Sequence, residues 1–457
     1  MVTTKAKRRV ILSPLGVSLE TIYPFFATMP DTAILDSSLV NELGQYKIIA
    51  AVPYKTITSV DGRTYVDGRE RPGSLTDYVH TYLQDHYDEN ETDLPIVSGA
   101  VGYISYDYGR EAMGIPTRHE RDVLIPDALL RFYDFFAIEN CHTKDVWFVA
   151  NGKTERAEKL LQRLLRRIRQ YLRLPIQPDR LSLMPEFHVQ AMYTQGEYKE
   201  AIRRLIDYIV AGDVYIANLT HQLTVTSPIQ PFTLFDRLRH RNPAPFSAYL
   251  HDGSFQIISS SMERFLRIRH GVIETRPIKG TRPRSTDPEK DQAMRRELEQ
   301  SEKDKSELLM IVDLERNDMN KVCQPGSVEV PRLFSLEEYA TVFHLVADIT
   351  GRLRDGVSVI DAFMALFPGG SITGAPKYRA MEIIDELERC RRNLYTGAIG
   401  YMTLDGDCDF NIVIRTALHY HDQYRLGVGG GITCESDPDL EYRETMQKAK
   451  ALLQALH

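Results

Sequence analysis

The apolar positions of the chain change period repeatedly, and each change marks an element. Over 154–173, Leu161, Leu164, Leu165, Ile168 and Leu172 recur at helical spacing, while Arg156, Lys159, Arg163, Arg166, Arg167 and Arg173 fall largely elsewhere. That pattern predicts an amphipathic helix whose basic side is a solvated outer face. A second helix is predicted over 196–211, where Tyr198, Ile202, Leu205 and Ile209 form the stripe and Gly212 ends it. Helical patterns also cover 288–318, 358–366, 376–390 and 438–456. Between them lie short β-branched and aromatic runs such as 47–52, 96–106 and 214–226. Asp-Gly or His-Gly pairs at 61–62, 67–68, 252–253, 270–271 and 405–406 read as turns between such runs. Repeated hairpins imply antiparallel pairing, so the interleaved helices and strands predict an α+β fold rich in antiparallel sheet. Pro175, Pro178 and Pro185 fall in a stretch with few periodic apolar positions, 174–187. This predicts a linker between an N-terminal region, 1–185, and a denser region, 190–457.

Composition narrows the class. The 457 residues are 43% hydrophobic and 26% charged with a net charge of −7, the balance of a soluble globular protein. A nucleic-acid or membrane-surface binder would carry a basic excess, so neither partner is expected. An anionic substrate would then have to be received by locally placed positive charge. The basic start (Lys5, Lys7, Arg8, Arg9) precedes only Val10-Ile11-Leu12 before Ser13 and Pro14, too little apolar sequence for a signal peptide. No run approaches the roughly 18 apolar residues of a membrane span. Five scattered cysteines, with no Cys-x-x-Cys pair, read as reduced thiols of a cytoplasmic protein without a disulfide framework or zinc site.

Chemistry concentrates in a few segments. Lys279 stands in Arg276-Pro277-Ile278-Lys279-Gly280-Thr281-Arg282-Pro283-Arg284. Pro277 restricts the backbone, Gly280 permits a turn, and three arginines disfavour one more positive charge. A free lysine needs its pKa lowered by roughly 3 units, about 4 kcal/mol, to be an effective nucleophile at pH 7. A solvated basic loop is the plainer reading of these residues alone. Asp304 and Glu307, and again Glu441 and Glu444, stand three apart on predicted helices. Each pair therefore shares a helix face, and two such faces meeting would suit a hard cation such as Mg²⁺. Solvated acidic faces are the alternative. Gly427 and Gly429–Gly431 form a glycine-rich turn in this reading, whose amides approach an anion. The run 366–377, with Ser371 and Thr373, offers hydroxyls and free N–H groups before a helix. Glu263 is a lone acid in an apolar hairpin, either a protonated general acid or a partner of Arg264. His344 has the apolar flanks of a core histidine.

Taken in order, Pro277–Arg282, Val312–Asp318, Phe367–Lys377, Tyr395–Gly397 and the terminal glycine-acidic segment resemble the chorismate-utilising enzymes. That family includes anthranilate synthase component I, aminodeoxychorismate synthase component I and the isochorismate and salicylate synthases. The resemblance spans about 190–457 and more loosely covers the first 185 residues. It implies Mg²⁺ on Glu307 and Glu444, with Asp304 and Glu441 supporting through water. It implies that Arg415, Lys448, Tyr395 and the amides of Gly429, Gly430 and Gly431 hold the carboxylates of chorismate. Thr281, His344 and Ser371 would lie near the ring, and Glu263 would assist departure of its C4 hydroxyl. Asp36, Ser37 and Ser38 resemble a segment that binds tryptophan in some members.

Lys279 discriminates within the family. Aminodeoxychorismate synthases usually carry lysine in that slot and anthranilate synthases alanine. The resemblance therefore implies attack of Lys279 on C2, then amination at C4 for folate and 4-aminobenzoate synthesis. Ile216 occupies the place where isochorismate-forming members carry a water-activating lysine, which argues against that reaction. No Gly-x-Cys-x-Gly nucleophile segment is present, so the implied nitrogen source is a separate glutamine amidotransferase subunit. Anthranilate synthase component I and a non-catalytic chorismate-binding module are the competing expectations.

Overall fold

The computed structural model describes residues 8–174, 187–339 and 342–457. The linker expected over 174–187, and Lys5 and Lys7 of the basic start, lie largely outside the described residues. Val10–Leu12 belong to the strand Arg9–Leu12, which pairs with Val146–Ala150. Among the described residues, no helix is long and apolar enough to cross a membrane.

Every strand pairing among the described residues is antiparallel, and the strands join in one continuous sheet network. The residues predicted as turns do close hairpins: Asp252 pairs with Phe255, Arg269 with Val272, and Met402 with Cys408. Period-two alternation then divides the side chains. In Gly99–Ile104, Val101 and Tyr103 enter an inner core lined by strands and loops, whereas Ala100 and Ile104 face a helix-covered core. In Tyr46–Val60, Ile48 and Ala50 take the inner face and Ile49 and Ala51 a second helix-covered core. Strands buried on both faces read as near-continuous apolar runs, which is why 128–138 looks unpatterned in sequence.

Helices cover the outer faces where predicted. Ala157–Tyr171 buries Leu161, Leu164 and Ile168. Gln195–Val210 is opened by a capping box between Thr194 and Glu197, and Pro438–Leu456 by the Asp437 cap. One expectation needs correction. The single helix predicted over 288–318 is two, Pro288–Gln300 and Glu302–Asn320, because Ser301 is extended and caps the second through Asp304 N–H. Periodicity alone does not register one extended residue between two helices.

The N-terminal region is woven into the rest. Thr32–Asp36 pairs with Phe246–Asp252, and Gly99–Ile104 pairs with Ala398–Thr403. Residues 1–185 and 190–457 thus contribute strands to the same sheet.

One buried ion pair ties the central strands to the loop that follows them. Arg392 holds both oxygens of Glu388, at 2.6 and 2.9 Å, and donates to the carbonyls of Asn218 (2.5 Å) and Ile372 (2.9 Å). Glu388 in turn accepts from the backbone N–H and hydroxyl of Thr220, each at 2.9 Å. Both side chains are buried, and the guanidinium also lies 4.6 Å from the Tyr106 ring centroid. Removing one partner strands the other charge. Arg392→Ala is therefore expected to lower stability by about 3–5 kcal/mol, measured as a reduced urea midpoint. Exchanging both residues for apolar ones of similar volume should cost much less.

Candidate active site

Lys279 is not on a turn. It lies in the strand Ile278–Pro283, opposite Leu345, and the next paired residue is Thr281, opposite His344. Gly280 is the extra residue of a β-bulge, with φ at 72°, where a side chain would press on Leu298 and Asp304. The bulge sets Thr281 beside His344, with Thr281 Oγ1 2.9 Å from His344 Nδ1. His344 is buried as expected, and its Nε2 lies 3.1 Å from Met262 Sδ. Burial pushes its pKa down to about 4, so the ring is neutral near pH 7.

The cationic crowding read from the sequence is absent. Arg276 pairs with Glu337 and Asp348, Arg282 with Glu297 and Asp304, and Arg284 with Asp291. Sequence neighbours on a strand point to opposite faces, so linear proximity of like charges does not become spatial proximity. Lys279 instead lies toward acids, since its charge bears on Glu263, Glu307 and Glu444.

Ser371 joins the two reactive groups. It sits on a short 3₁₀ turn, Gly370–Ile372, whose last carbonyl is held by Arg392. Its hydroxyl donates to Glu263 Oε1 at 2.7 Å, and its carbonyl accepts from Lys279 Nζ at 3.1 Å. Glu263 does not pair with Arg264, which binds Asp409 and Glu274. Burial pushes the Glu263 carboxyl up from the usual range, while the Ser371 hydrogen bond and the Lys279 charge pull the other way. A carboxyl whose pKa is raised in a desolvated site is suited to proton donation. Thr373 is not available to a ligand, because its hydroxyl donates to the Gly369 carbonyl.

The glycine run is also not a turn. Gly427–Gly431 belong to the strand Gln423–Ile432 and pair with His221, Gln222 and Asn218–Thr220 on Ile216–Thr226. Their role is spatial. A Cβ on Gly427 would stand 2.0 Å from Tyr395 Cγ, so the phenol lies directly on the strand. A Cβ on Gly431 would stand 3.3 Å from Lys279 Nζ, and one on Gly430 3.6 Å from Lys448 Nζ. Missing side chains thus leave room beside both lysines. Lys448 donates to the Gly429 carbonyl at 3.0 Å. Burial raises the pKa of Tyr395 and keeps it a neutral donor.

Arg415 is half-buried, has φ at 51°, and forms no ion pair among the described residues. A non-glycine residue in the left-handed region, carrying an unpaired guanidinium, is an observed outlier that points to ligand binding. Burial lowers its pKa, and Tyr395 and Glu444 work against that shift.

The acidic pairs sit on Glu302–Asn320 and Pro438–Leu456 as predicted, and the charge of Glu444 reaches Glu307 across the two helices. They are not assembled as one ligand set: among the described residues, no three acidic, His or Cys side chains are gathered as for a metal. Asp304 is held by Arg282 at 3.0 Å, Glu441 by Ser436 at 2.8 Å, and Glu444 by Lys448 at 2.7 Å. Glu307 forms an ion pair with Lys303, at 3.8 Å, and no other among the described residues. Burial raises the Glu307 pKa, the charges of Lys279 and Lys303 pull it back, and those of Asp304 and Glu444 add to the rise. Glu307, raised by burial, and Glu444, held by Lys448, are two carboxylates of the kind a hard divalent ion needs, which takes one or two such ligands.

Asp36, Ser37 and Ser38 lie elsewhere. Asp36 accepts from Tyr23 and Arg239, and the two serines bond the carbonyls of Pro245 and Ala244. Asp36 and Ser37 line a cavity with Phe246, Ser247, Arg264 and Asp409, none of which is Lys279, Glu263 or Ser371. Ile216 is buried against Gly431 and offers no base there.

Sequence reasoning missed Arg392 and Glu388, whose i, i+4 spacing resembles an ordinary solvated pair among Arg389, Arg391 and Arg392. It also passed over Glu315 within the 312–318 motif, which is buried and hydrogen-bonded to Thr275.

The curated aminodeoxychorismate synthase component 1 of Salmonella typhimurium is 40% identical over 91% of this chain and 91% of its own. Anthranilate synthase component 1 of Pseudomonas aeruginosa is 35% identical over 95% of this chain and 92% of its own. The crystal structure of anthranilate synthase component I from Streptococcus pneumoniae superposes with a TM-score of 0.82 at 28% identity, covering 91% of this chain and 93% of that one. The family model described as chorismate binding enzyme matches residues 37–454, and the chain belongs to that family.

Proposed function

We propose that the protein aminates chorismate at C4 to give 4-amino-4-deoxychorismate, using ammonia delivered by a separate glutamine amidotransferase subunit. One observation carries the reading: Ser371 holds Lys279 through its carbonyl and Glu263 through its hydroxyl, so a nucleophile and an acid face one space. The relatives named aminodeoxychorismate synthase component 1 support it, and that designation supports a second component. Ammonium salts should replace the subunit in solution.

The chemistry balances with these two groups. The Lys279 free amine adds to C2 and becomes a secondary ammonium, both ring double bonds shift by one position (C1=C2 to C1=C6 and C5=C6 to C4=C5), and the C4–O bond breaks as Glu263 gives its proton to the departing hydroxyl, releasing water. Ammonia then adds at C4, both double bonds return to C5=C6 and C1=C2, and Lys279 leaves C2 with the electron pair of the C2–N bond as the free amine. Glu263 recovers a proton from the new ammonium group. Arg415, Lys448 and Tyr395 orient the two carboxylates of the substrate. Neutral His344 and Thr281 line the ring without adding charge. Glu307 and Glu444 would hold Mg²⁺, which supplies positive charge for a substrate carboxylate.

Amination at C2 to anthranilate is the second reading, favoured by the Streptococcus pneumoniae neighbour. Incubation with chorismate, Mg²⁺ and ammonium, followed by mass spectrometry and chromatography of the product, decides. Anthranilate without 4-amino-4-deoxychorismate would refute the first reading. Lys279→Ala is expected to abolish amination, measured as loss of the aminated product in the same incubation. Glu263→Gln should lower kcat by about 10²–10⁴-fold, the range for loss of a positioned acid. Gly427→Ala drives a methyl into the Tyr395 ring, so the KM for chorismate should rise at least about tenfold by steady-state kinetics, a shift worth about 1.4 kcal/mol. Unchanged KM would remove Tyr395 from the substrate contacts.

A further inference from the structure

The helix Glu302–Asn320 carries a second buried carboxyl, Glu315, on which the charge of Glu263 bears. The loop that carries Ser371 rests directly on it: a Cβ at Gly370 would be 3.4 Å from Glu315 Cγ and 2.9 Å from Leu314 Cδ2. One hydroxyl, that of Thr275, stands between two acceptors. Thr275 Oγ1 lies 2.9 Å from the Phe265 carbonyl and 2.8 Å from Glu315 Oε2. A hydroxyl has one proton to donate. If Thr275 spends it on the Phe265 carbonyl, the contact with Glu315 is closed only when the carboxyl itself carries a proton and donates to Thr275.

The surrounding charges are consistent with a neutral acid. A hydrogen bond from Thr275 and the charge of Lys377 favour a carboxylate at Glu315, while Glu263 and Asp318 both disfavour one. Lys377 is already held by Asp318 at 2.6 Å and by the Leu366 carbonyl at 2.8 Å, so its charge is largely answered. Burial is the largest influence and carries the Glu315 pKa from 4.5 to about 8.

We propose that Glu315 is a positioning residue for proton donation: it stays a neutral acid, so that Glu263 can ionise without a second carboxylate charge bearing on it. The inference rests on the C4-amination reading, in which Glu263 becomes a carboxylate as the hydroxyl leaves. Two interacting buried carboxyls tolerate one negative charge far better than two. When Glu315 loses its proton, donation by Glu263 would create that second charge, and the step slows.

The test uses Glu315→Gln, which keeps the shape and is neutral at every pH, and Glu315→Met, which is neutral without the hydrogen bond. The parent should lose amination rate above about pH 8, whereas both variants should not show that loss. Isotope-edited infrared spectra at pH 7 should show a protonated carboxyl band in the parent that Glu315→Gln lacks. The sign of the stability effect is also set. A carboxyl with its pKa raised on folding favours the fold fully below the unfolded value and progressively less as pH rises. The thermal midpoint of the parent should therefore fall relative to Glu315→Gln between about pH 4.5 and 8, by up to tenfold in the folding constant per pH unit. An alkaline limb unchanged in both variants, or no protonated band at pH 7, would overturn the proposal. Absence of aminated product at every pH would instead overturn the functional reading, while the infrared and stability comparisons still report on Glu315.

Discussion

The site depends on a charge pair that touches no reacting atom. Arg392 and Glu388 are buried together, and between them they engage Asn218, Thr220, Ile372 and Thr396. These contacts fix the end of the 216–226 strand, the turn that presents Ser371, and the segment that presents Tyr395. Burying two charges is unfavourable unless their lone pairs and protons are nearly all answered. Here the surrounding carbonyls and hydroxyls answer most of them, which gives the turn one position. A two-point hold on Glu263 and Lys279 through one serine requires that precision, because a misplacement of about 1 Å can cost on the order of 10² in rate.

The electrostatics follow a second economy. A chain with net charge −7 that receives a dianion must leave positive charge free at one place. The arginines of 276–284 do not serve, since carboxylates occupy all three. Arg415 does, held in a left-handed backbone with no carboxylate partner among the described residues. Glycines at 430 and 431 add nothing electrostatic; they remove volume where Lys448 and Lys279 reach.

Much of this was legible in the sequence, for specific reasons. Helix stripes such as Leu161–Ile168 and hairpin pairs such as Asp252-Gly253 reflect local rules, and the elements appear where those rules put them. The segments carrying Lys279, Glu263 and Ser371 were recognisable as a set, and the structure brings them together. What failed was inference from adjacency. Three arginines around Lys279 looked like a cationic cluster, although a strand sends them to different partners. Gly280 looked like a turn and is a bulge; Gly427–Gly431 looked like a turn and is a paired strand. Glycine marks a close approach in each case, but sequence does not say which atom approaches. Arg392 and Glu388 were invisible because a buried i, i+4 pair and a solvated one have the same spelling.

The weaving of the sheet bears on how the chain reaches this state. Residues 216–226 find their main partner at 423–432, and 99–104 pair with 398–403, some three hundred positions away. Contacts so distant along the chain must close large loops before any burial rewards them, which slows folding. During synthesis, the apolar strand 99–104 must wait for nearly the whole chain before its neighbour at 398–403 exists. Its unpaired edge is open to other chains throughout that interval. The same interlacing that gives the site its single geometry therefore makes the nascent protein a natural client for chaperones.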